Sequence, residues 1–125
     1  MRKNRFNSQL RSTIQCEELI KRIFNLTERE IEVYRILREL GATRVDELAR
    51  CLNKERSTIY RSLQKLTEYG LCEKLTKTLE KGGYYHLYEC KDLHEIKKLA
   101  EECIERWYRS MKETLKLFEQ SLSEN

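Results

Sequence analysis

The stretch VDELARCLNKERSTIYRSLQKLTEYGL, residues 45–71, carries the clearest information about the fold of this chain. Its apolar residues recur every three or four positions in two blocks, which is the period of helices buried on one side. The first block predicts a short helix from about Val45 to Leu52, with Thr43 available as its cap. Asn53 then predicts a tight turn, and the second block predicts a longer helix that Gly70 ends.

A further helix precedes this stretch and begins at Thr27. In TERE, residues 27–30, Thr27 and Glu30 occupy the two positions of a capping box, in which each side chain binds a backbone N–H of the other residue. The apolar residues that follow lie on one helical face, and Gly41 ends the helix. Three helices in a row are therefore predicted.

The sequence period changes to two after Gly70. Residues 71–78 and residues 84–90 each alternate between two faces, and EKGG at 80–83 separates them, which is the pattern of a β-hairpin with a glycine turn. An uninterrupted helical pattern then runs from Leu93 to Leu122. At about 1.5 Å per residue this last helix spans roughly 45 Å, more than a domain of this size can cover.

Positive charge is concentrated at the start of the chain. Residues 1–22 hold six basic and two acidic side chains, whereas the whole protein has a net charge of +4. A loose basic arm to about Asn7, followed by an amphipathic helix, is predicted. We expect Arg2, Lys3 and Arg5 to lie along DNA phosphates and add affinity without sequence preference, and simple solubility is the alternative.

Length and composition exclude several classes of protein. The 125 residues fit one small domain with appendages, and no stretch approaches the ~18 consecutive apolar residues of a membrane span. We expect a cytoplasmic protein with no membrane partner, and the odd number of cysteines without a C-x-x-C pair favours free thiols. Two histidines and two aspartates offer little acid and base chemistry, so neither an enzyme nor a cofactor is expected.

The predicted element order is that of a winged helix-turn-helix, in which the third helix enters the DNA major groove and the hairpin forms the wing. Residues 26–71 also resemble TrmB-type archaeal regulators and, more distantly, MarR- and ArsR-like regulators. The resemblance is carried by VDELAR (45–50), RSTIYRSLQKL (56–66) and YGL (69–71). It implies a sequence-specific transcriptional regulator that is usually a homodimer. The long TrmB members have a separate sugar-sensing domain, for which 125 residues leave no room, so sugar sensing is not expected.

The expected fold class is mainly α with a small β-hairpin: a winged helix-turn-helix with an N-terminal helix and a long C-terminal dimerisation helix. Residues 1–25 are assigned to the basic arm and amphipathic helix, residues 26–90 to the DNA-binding domain, and residues 91–125 to the dimerisation helix.

The third helix offers a polar face for double-stranded DNA if its apolar stripe faces the core. Arginine can pair with guanine and glutamine with adenine at two points each, so Arg61 and Gln64 are the candidates for base contacts. Ser57 and Thr58, near the helix start, suit phosphates. The full set of candidates on this helix is Arg56, Ser57, Thr58, Tyr60, Arg61, Gln64 and Lys65. The alternative is an ordinary polar face, on which Arg56 or Lys65 is only solvated or is paired with Glu68.

In the predicted wing, Lys74, Lys77 and Lys81 supply positive charge that could contact phosphates or the minor groove, and Lys77 and Lys81 are selected as the candidates. Its tyrosines, at 84, 85 and 88, fit packing against the third helix better than base stacking. His86, Cys90 and His94 do not have the close spacing typical of a zinc site, so no metal is expected.

The last helix carries an apolar seam that alternates by four and three residues, the pattern of a coiled-coil interface. We expect it to form a homodimer, and the alternative is that it folds back on the earlier helices of the same chain. The expected dimerisation residues are Ile104, Trp107, Tyr108, Met111, Leu115, Phe118 and Leu122. A two-fold axis then predicts a pseudo-palindromic DNA site with half-sites ~10 bp, or a multiple of that, apart.

These features together predict a dimeric repressor that acts by occupying its DNA site. Two other readings stay open: a winged-helix module that binds protein within a transcription assembly, and a chromatin-like DNA binder of low specificity. Steep salt dependence distinguishes DNA binding from protein binding. Nothing in the sequence identifies a small-molecule effector.

Overall fold

A computed structural model describes residues 15–123. Residues 15–23 are helical and are called α1. The other elements are α2 (Glu28–Leu40), α3 (Val45–Leu52), α4 (Arg56–Glu68), β1 (Cys72–Thr78), β2 (Tyr84–Cys90) and α5 (Leu93–Ser123). This order, with an antiparallel β1–β2 hairpin, confirms the predicted winged helix-turn-helix with a long last helix. Within residues 15–123, no helix has the length and hydropathy needed to cross a membrane.

The core lies where α2, α3 and α4 meet the base of the hairpin. The predicted stripe of α4, Ile59, Leu63 and Leu66, is fully buried. The largest fully buried side chains are Leu37, Leu48, Ile59, Leu63, Leu66, Leu71, Val33 and Cys72. Because this stripe fixes the rotation of α4 about its axis, it also determines which α4 side chains face outward.

The described part of the predicted N-terminal helix packs on this core through its last turn. Phe24 is buried, and Ile20 and Ile23 are partly buried against the core. Arg35 Nε lies 2.8 Å from a Glu17 carboxylate oxygen, which joins α1 to α2. Leu19 remains half exposed.

The predicted capping box is present at the start of α2. The Thr27 hydroxyl accepts from the Glu30 N–H at 3.1 Å, and the Glu30 carboxylate accepts from the Thr27 N–H at 3.0 Å. Both backbone donors lie next to the buried core, where an unpaired N–H is costly.

Replacing Thr27 with alanine removes one of these bonds and is expected to lower the free energy of unfolding by about 1 kcal/mol. Thermal unfolding followed by circular dichroism measures the change. Thr114→Ala serves as the control, since that exposed hydroxyl only donates to the Ser110 carbonyl within α5. An unchanged midpoint for Thr27→Ala would contradict the role of the cap.

The prediction that Thr43 caps α3 is wrong. Arg44 occupies the N-cap position and makes no side-chain cap bond. Thr43 instead pairs with Tyr88 through two backbone hydrogen bonds of 2.9 Å, and its hydroxyl donates to the Gly41 carbonyl. A single residue thus adds to the hairpin as a short third strand, and this pairing holds the wing beside α3 and α4.

The hairpin register places alternate side chains on opposite faces of the wing. Lys74 lies opposite Tyr88, Thr76 opposite His86, and Lys77 opposite Tyr85. The turn closes through hydrogen bonds between Leu79 and the two glycines, both of which have φ near +90°. That conformation strains any residue with a Cβ, which explains the paired glycines.

The long helix α5 contacts the core only through its first part. Ile96 and Ala100 are buried, and Leu99 and Cys103 pack against the core. From residue 104 to the end of the described chain, every side chain is exposed. The second half of α5 therefore extends beyond the domain.

Candidate nucleic-acid interface

The outward face of α4 carries polar side chains opposite the buried stripe. At about 100° per residue, the direction opposite the stripe is occupied by Ser57, Arg61 and Gln64, with Glu68 at the far end. All four are exposed. The structure thus puts the two residues predicted to contact bases at the centre of the exposed face.

One flank of α4 faces α3 and the wing. Arg56 lies on this flank, and its Nε donates to an Asp46 carboxylate oxygen at 2.7 Å. Tyr60 lies one turn further on, and its hydroxyl accepts from the Gln64 amide at 3.0 Å. The Arg56–Asp46 pair is solvent-exposed on both sides, so it costs little to open for an incoming phosphate.

The other flank of α4 faces α2. Thr58 is half buried there, and Lys65 Nζ lies 3.6 Å from a carboxylate oxygen of the buried Glu30. The ion-pair partners of Arg56 and Lys65 are therefore Asp46 and Glu30, and not Glu68, which was one of the two possibilities in the alternative interpretation. Lys65 consequently lies away from the centre of the outward face.

A cleft of about 480 Å³ separates α4 from the wing. Three cationic side chains, Arg44, Arg56 and Lys74, line it together with one carboxylate, Asp46. The remaining lining residues are Val45, Tyr60, Tyr84, Tyr85, His86 and Tyr88. The excess of positive over negative side chains makes this cleft suitable for an anionic group such as a phosphate.

Aromatic side chains form the wing side of the cleft. Tyr88 is buried, and burial raises the pKa of its hydroxyl. The Arg44 guanidinium lies over the Tyr85 ring at 4.2 Å, which fixes the position of that cation. Tyr84 is 68% exposed and lies 5.4 Å from the His86 ring, centroid to centroid. The packing interpretation therefore holds for Tyr88, whereas Tyr84 stays open to solvent.

The wing lysines differ in where they lie. Lys74 lines the cleft, whereas Lys77 pairs in register with Tyr85 and lies outside the cleft lining. Lys81 is exposed in the turn. Of these three, the sequence interpretation selected Lys77 and Lys81 and left out the lysine nearest α4.

Arg44 is thus a candidate contact residue that sequence reasoning missed, whereas Lys74 is recognised in the sequence as a wing cation but is not selected. The signal for Lys74 was present, because alternation places it on the same face as Tyr88. The signal for Arg44 was hidden because Thr43 resembles the cap of α3 in the sequence, whereas Arg44 occupies the N-cap position of that helix.

Two other predictions concern the N-terminal arm and the histidine and cysteine side chains. Arg2, Lys3 and Arg5 lie outside the described residues. His86 accepts or donates a hydrogen bond with the Thr76 hydroxyl at 3.2 Å, while the Cys90 thiol donates to the Tyr34 carbonyl at 3.7 Å. Within residues 15–123, no group of three His, Cys, Asp or Glu side chains is arranged to hold a metal ion.

The predicted dimerisation residues form an exposed apolar stripe on α5. The exposed fraction runs from 38% for Met111 to 65% for Trp107 and Leu115. The complete stripe is Ile104, Trp107, Tyr108, Met111, Leu115, Phe118 and Leu122. Within a single chain nothing among the described residues covers it, so this half of α5 does not fold back on the earlier helices.

Comparison with known proteins agrees with the fold. Residues 20–94 match the family described as the sugar-specific transcriptional regulator TrmB. A relative in Methanocaldococcus jannaschii, an uncharacterized protein, is 35% identical over 84% of this chain and 87% of its own.

Two solved structures share the fold. A possible transcriptional regulator from Methanosarcina mazei superposes with a TM-score of 0.72 at 25% identity, covering 83% of this chain and 88% of that one. A protein from the thermoacidophilic archaeon Sulfolobus tokodaii superposes with a TM-score of 0.62 at 21% identity, covering 75% and 92%. The family match covers 75 consecutive residues, which is more than half of this chain. The chain therefore belongs to the TrmB family and is a DNA-binding transcriptional regulator.

Proposed function

We propose that this protein is a homodimeric repressor that binds a pseudo-palindromic DNA site with α4 and the wing of each subunit. The observation that carries the proposal is the outward face of α4, where Ser57, Arg61 and Gln64 are exposed beside a cationic cleft. An exposed helix of this kind fits the major groove, which is wide enough to admit it.

Base recognition is assigned to Arg61 and Gln64. They lie one turn apart at the centre of the face, and each can make a two-point contact with one base, guanine for Arg61 and adenine for Gln64. The Tyr60 hydroxyl holds the Gln64 amide in place before DNA arrives. A side chain that is already oriented loses less conformational freedom on binding.

Phosphate contacts are assigned to the cleft and to the start of α4. Arg44, Arg56 and Lys74 converge there, and the first backbone N–H groups of α4 point outward near Ser57. These contacts set the position of the domain on the duplex without reading its sequence. Lys77, Lys81 and the arm residues Arg2, Lys3 and Arg5 are proposed to add further phosphate contacts.

Dimerisation is assigned to the apolar stripe of α5. Two copies of the stripe cover each other around a two-fold axis, so that one surface of the chain pairs with itself. The division into an arm with its helix (1–25), a DNA-binding domain (26–90) and a dimerisation helix (91–125) follows from these roles. A dimer bound to its DNA site would repress by occupying that site, a mechanism that requires no contact with another protein.

Selection of binding duplexes from a random pool tests the proposal. The expected outcome is an enriched sequence with two-fold symmetry and half-sites ~10 bp, or a multiple of that, apart. An enriched single site without symmetry would contradict the dimeric arrangement. Recovery of bound duplexes that share no enriched sequence would indicate a chromatin-like binder. Failure to recover any duplex at low salt would favour a protein-interaction module.

A matched pair of wing variants tests the assignment of the cleft. Lys74→Ala is expected to weaken DNA binding more than Lys77→Ala, since Lys74 lines the cleft whereas Lys77 does not. Because the dimer carries the substitution twice, losing this phosphate contact also lowers the slope of log affinity against log salt by about 2. Fluorescence anisotropy at several salt concentrations measures both quantities. Equal effects of the two substitutions would contradict the assignment.

A further inference from the structure

Two cysteines face each other across the base of the wing. Cys72 and Cys90 are direct partners in the β1–β2 register. The Lys91 N–H donates to the Leu71 carbonyl at 2.9 Å, so Leu71 and Lys91 form a hydrogen-bonded pair. Hydrogen-bonded and non-hydrogen-bonded pairs alternate along an antiparallel ladder, so the next pair, Cys72 and Cys90, is non-hydrogen-bonded. In such pairs the Cα atoms are about 4.5 Å apart, which lies inside the range of about 4.4–6.8 Å seen in disulfides.

The two thiols have different surroundings. Cys72 is 1% exposed, and its pKa is raised by the adjoining Cys90 thiol and by burial. Cys90 is half buried, and its pKa is lowered by the interaction with Cys72 and by the positive charge of Arg38, against the opposing effect of burial. Cys90 is therefore the more exposed residue of the two and the one whose ionised form is favoured.

The Arg38 guanidinium beside Cys90 is itself held in place. Its Nε donates to the Tyr34 hydroxyl at 3.1 Å and its Nη2 donates to the Lys91 carbonyl at 2.9 Å. Lys91 follows Cys90 directly in the chain. A fixed cation next to a partly exposed thiol is the environment in which cysteines are reactive.

We propose that Cys72 and Cys90 form a peroxide-reactive dithiol that closes to a disulfide across the base of the wing. The function proposed above does not require this site. In an unoxidised chain both residues are thiols, so the inference adds a modification site to a protein whose cysteines were predicted to be free.

The chemistry balances with a hydroperoxide as the oxidant. The Cys90 thiolate attacks the outer peroxide oxygen, the O–O bond breaks, an alcohol leaves, and Cys90 becomes a sulfenic acid. The Cys72 sulfur then attacks the Cys90 sulfur, the S–S bond forms, and the hydroxyl leaves as water with the proton from Cys72. Two thiols are oxidised by two electrons, and the peroxide takes up both.

The test treats the folded full chain with tert-butyl hydroperoxide, blocks the remaining thiols with an alkylating agent, and maps tryptic peptides by mass. Cys72 lies in the peptide of residues 66–74 and Cys90 in that of residues 82–91, whereas Cys16, Cys51 and Cys103 lie in other peptides. The expected product is a cross-link between peptides 66–74 and 82–91 that dithiothreitol reverses. A cross-link of Cys90 to Cys103, or an overoxidised Cys90 with Cys72 alkylated, would overturn the proposal.

Substitutions separate this pair from the other cysteines. A variant with alanine at positions 16, 51 and 103 is expected to form the same cross-link at the same rate. Cys72→Ala is expected to stop peroxide treatment at sulfenic acid on Cys90, which a dimedone adduct on peptide 82–91 reports.

A thermal measurement keeps the proposal testable if Cys72→Ala unfolds. Closing the loop between the two cysteines restricts the unfolded chain, so the oxidised wild type is expected to unfold at a higher temperature than the reduced protein. Equal unfolding temperatures for the oxidised and the reduced protein would contradict a disulfide that fits the folded hairpin.

Discussion

Replacing Met111 and Leu115 with glutamate is expected to convert the protein to a monomer and to remove high-affinity binding to a two-half-site duplex. Both side chains lie on the exposed apolar stripe of α5, and in a dimer four carboxylates would be placed in one apolar interface. Once the subunits separate, each half-site is bound on its own. The gain of about 100-fold to 10000-fold that linked binding provides is then lost.

Sedimentation velocity measures the oligomeric state, and anisotropy with the selected duplex measures the affinity. Leu117→Glu is the matched control, because Leu117 is 65% exposed but lies on the side of α5 opposite the stripe. We expect that variant to remain a dimer with unchanged affinity. A dimeric double variant, or a wild-type protein that is monomeric at micromolar concentration, would contradict the assignment of α5.

Replacing Arg61 with alanine is expected to produce the largest loss of sequence discrimination among single substitutions on α4. A two-point arginine contact with guanine contributes about 1–3 kcal/mol to discrimination, and a symmetric site contains two such contacts. Binding to the selected duplex is therefore expected to weaken by about 30-fold or more, with a much smaller change on a scrambled duplex. Competition anisotropy with both duplexes measures the ratio.

Lys65→Ala provides the control for Arg61→Ala. It removes the same charge from the same helix, but Lys65 lies on the flank next to Glu30 and away from the centre of the outward face. Its effect on both duplexes is expected to be small. An Arg61→Ala variant that weakens the selected and the scrambled duplex equally would show that Arg61 contacts only phosphate.

Local patterns explain why the fold could be predicted from the sequence. The capping box at Thr27 and Glu30 involves residues three positions apart, and the α4 stripe follows from helical spacing alone. The glycine turn of the wing is equally local. Each of these signals lies within one element or between two neighbouring elements, so the element can be predicted without knowledge of tertiary contacts.

The parts of the candidate site that were missed depend on contacts between distant residues. Thr43 resembles a helix cap in the sequence, but its pairing with Tyr88 on the wing determines its conformation. Arg56 and Lys65 are both basic residues on the polar side of α4, and the packing of α3 and α2 against α4 determines their different partners. Local spacing carries no information about such pairs.

Recognition of DNA by the α4 face and the cleft is best tested by binding of the purified protein to the selected duplex and to a scrambled duplex, each at two salt concentrations. We expect affinity to fall steeply with salt on both duplexes and the selected duplex to be preferred at each concentration. Absence of binding at low salt, or affinity that does not change with salt, would contradict DNA recognition by the α4 face and the cleft.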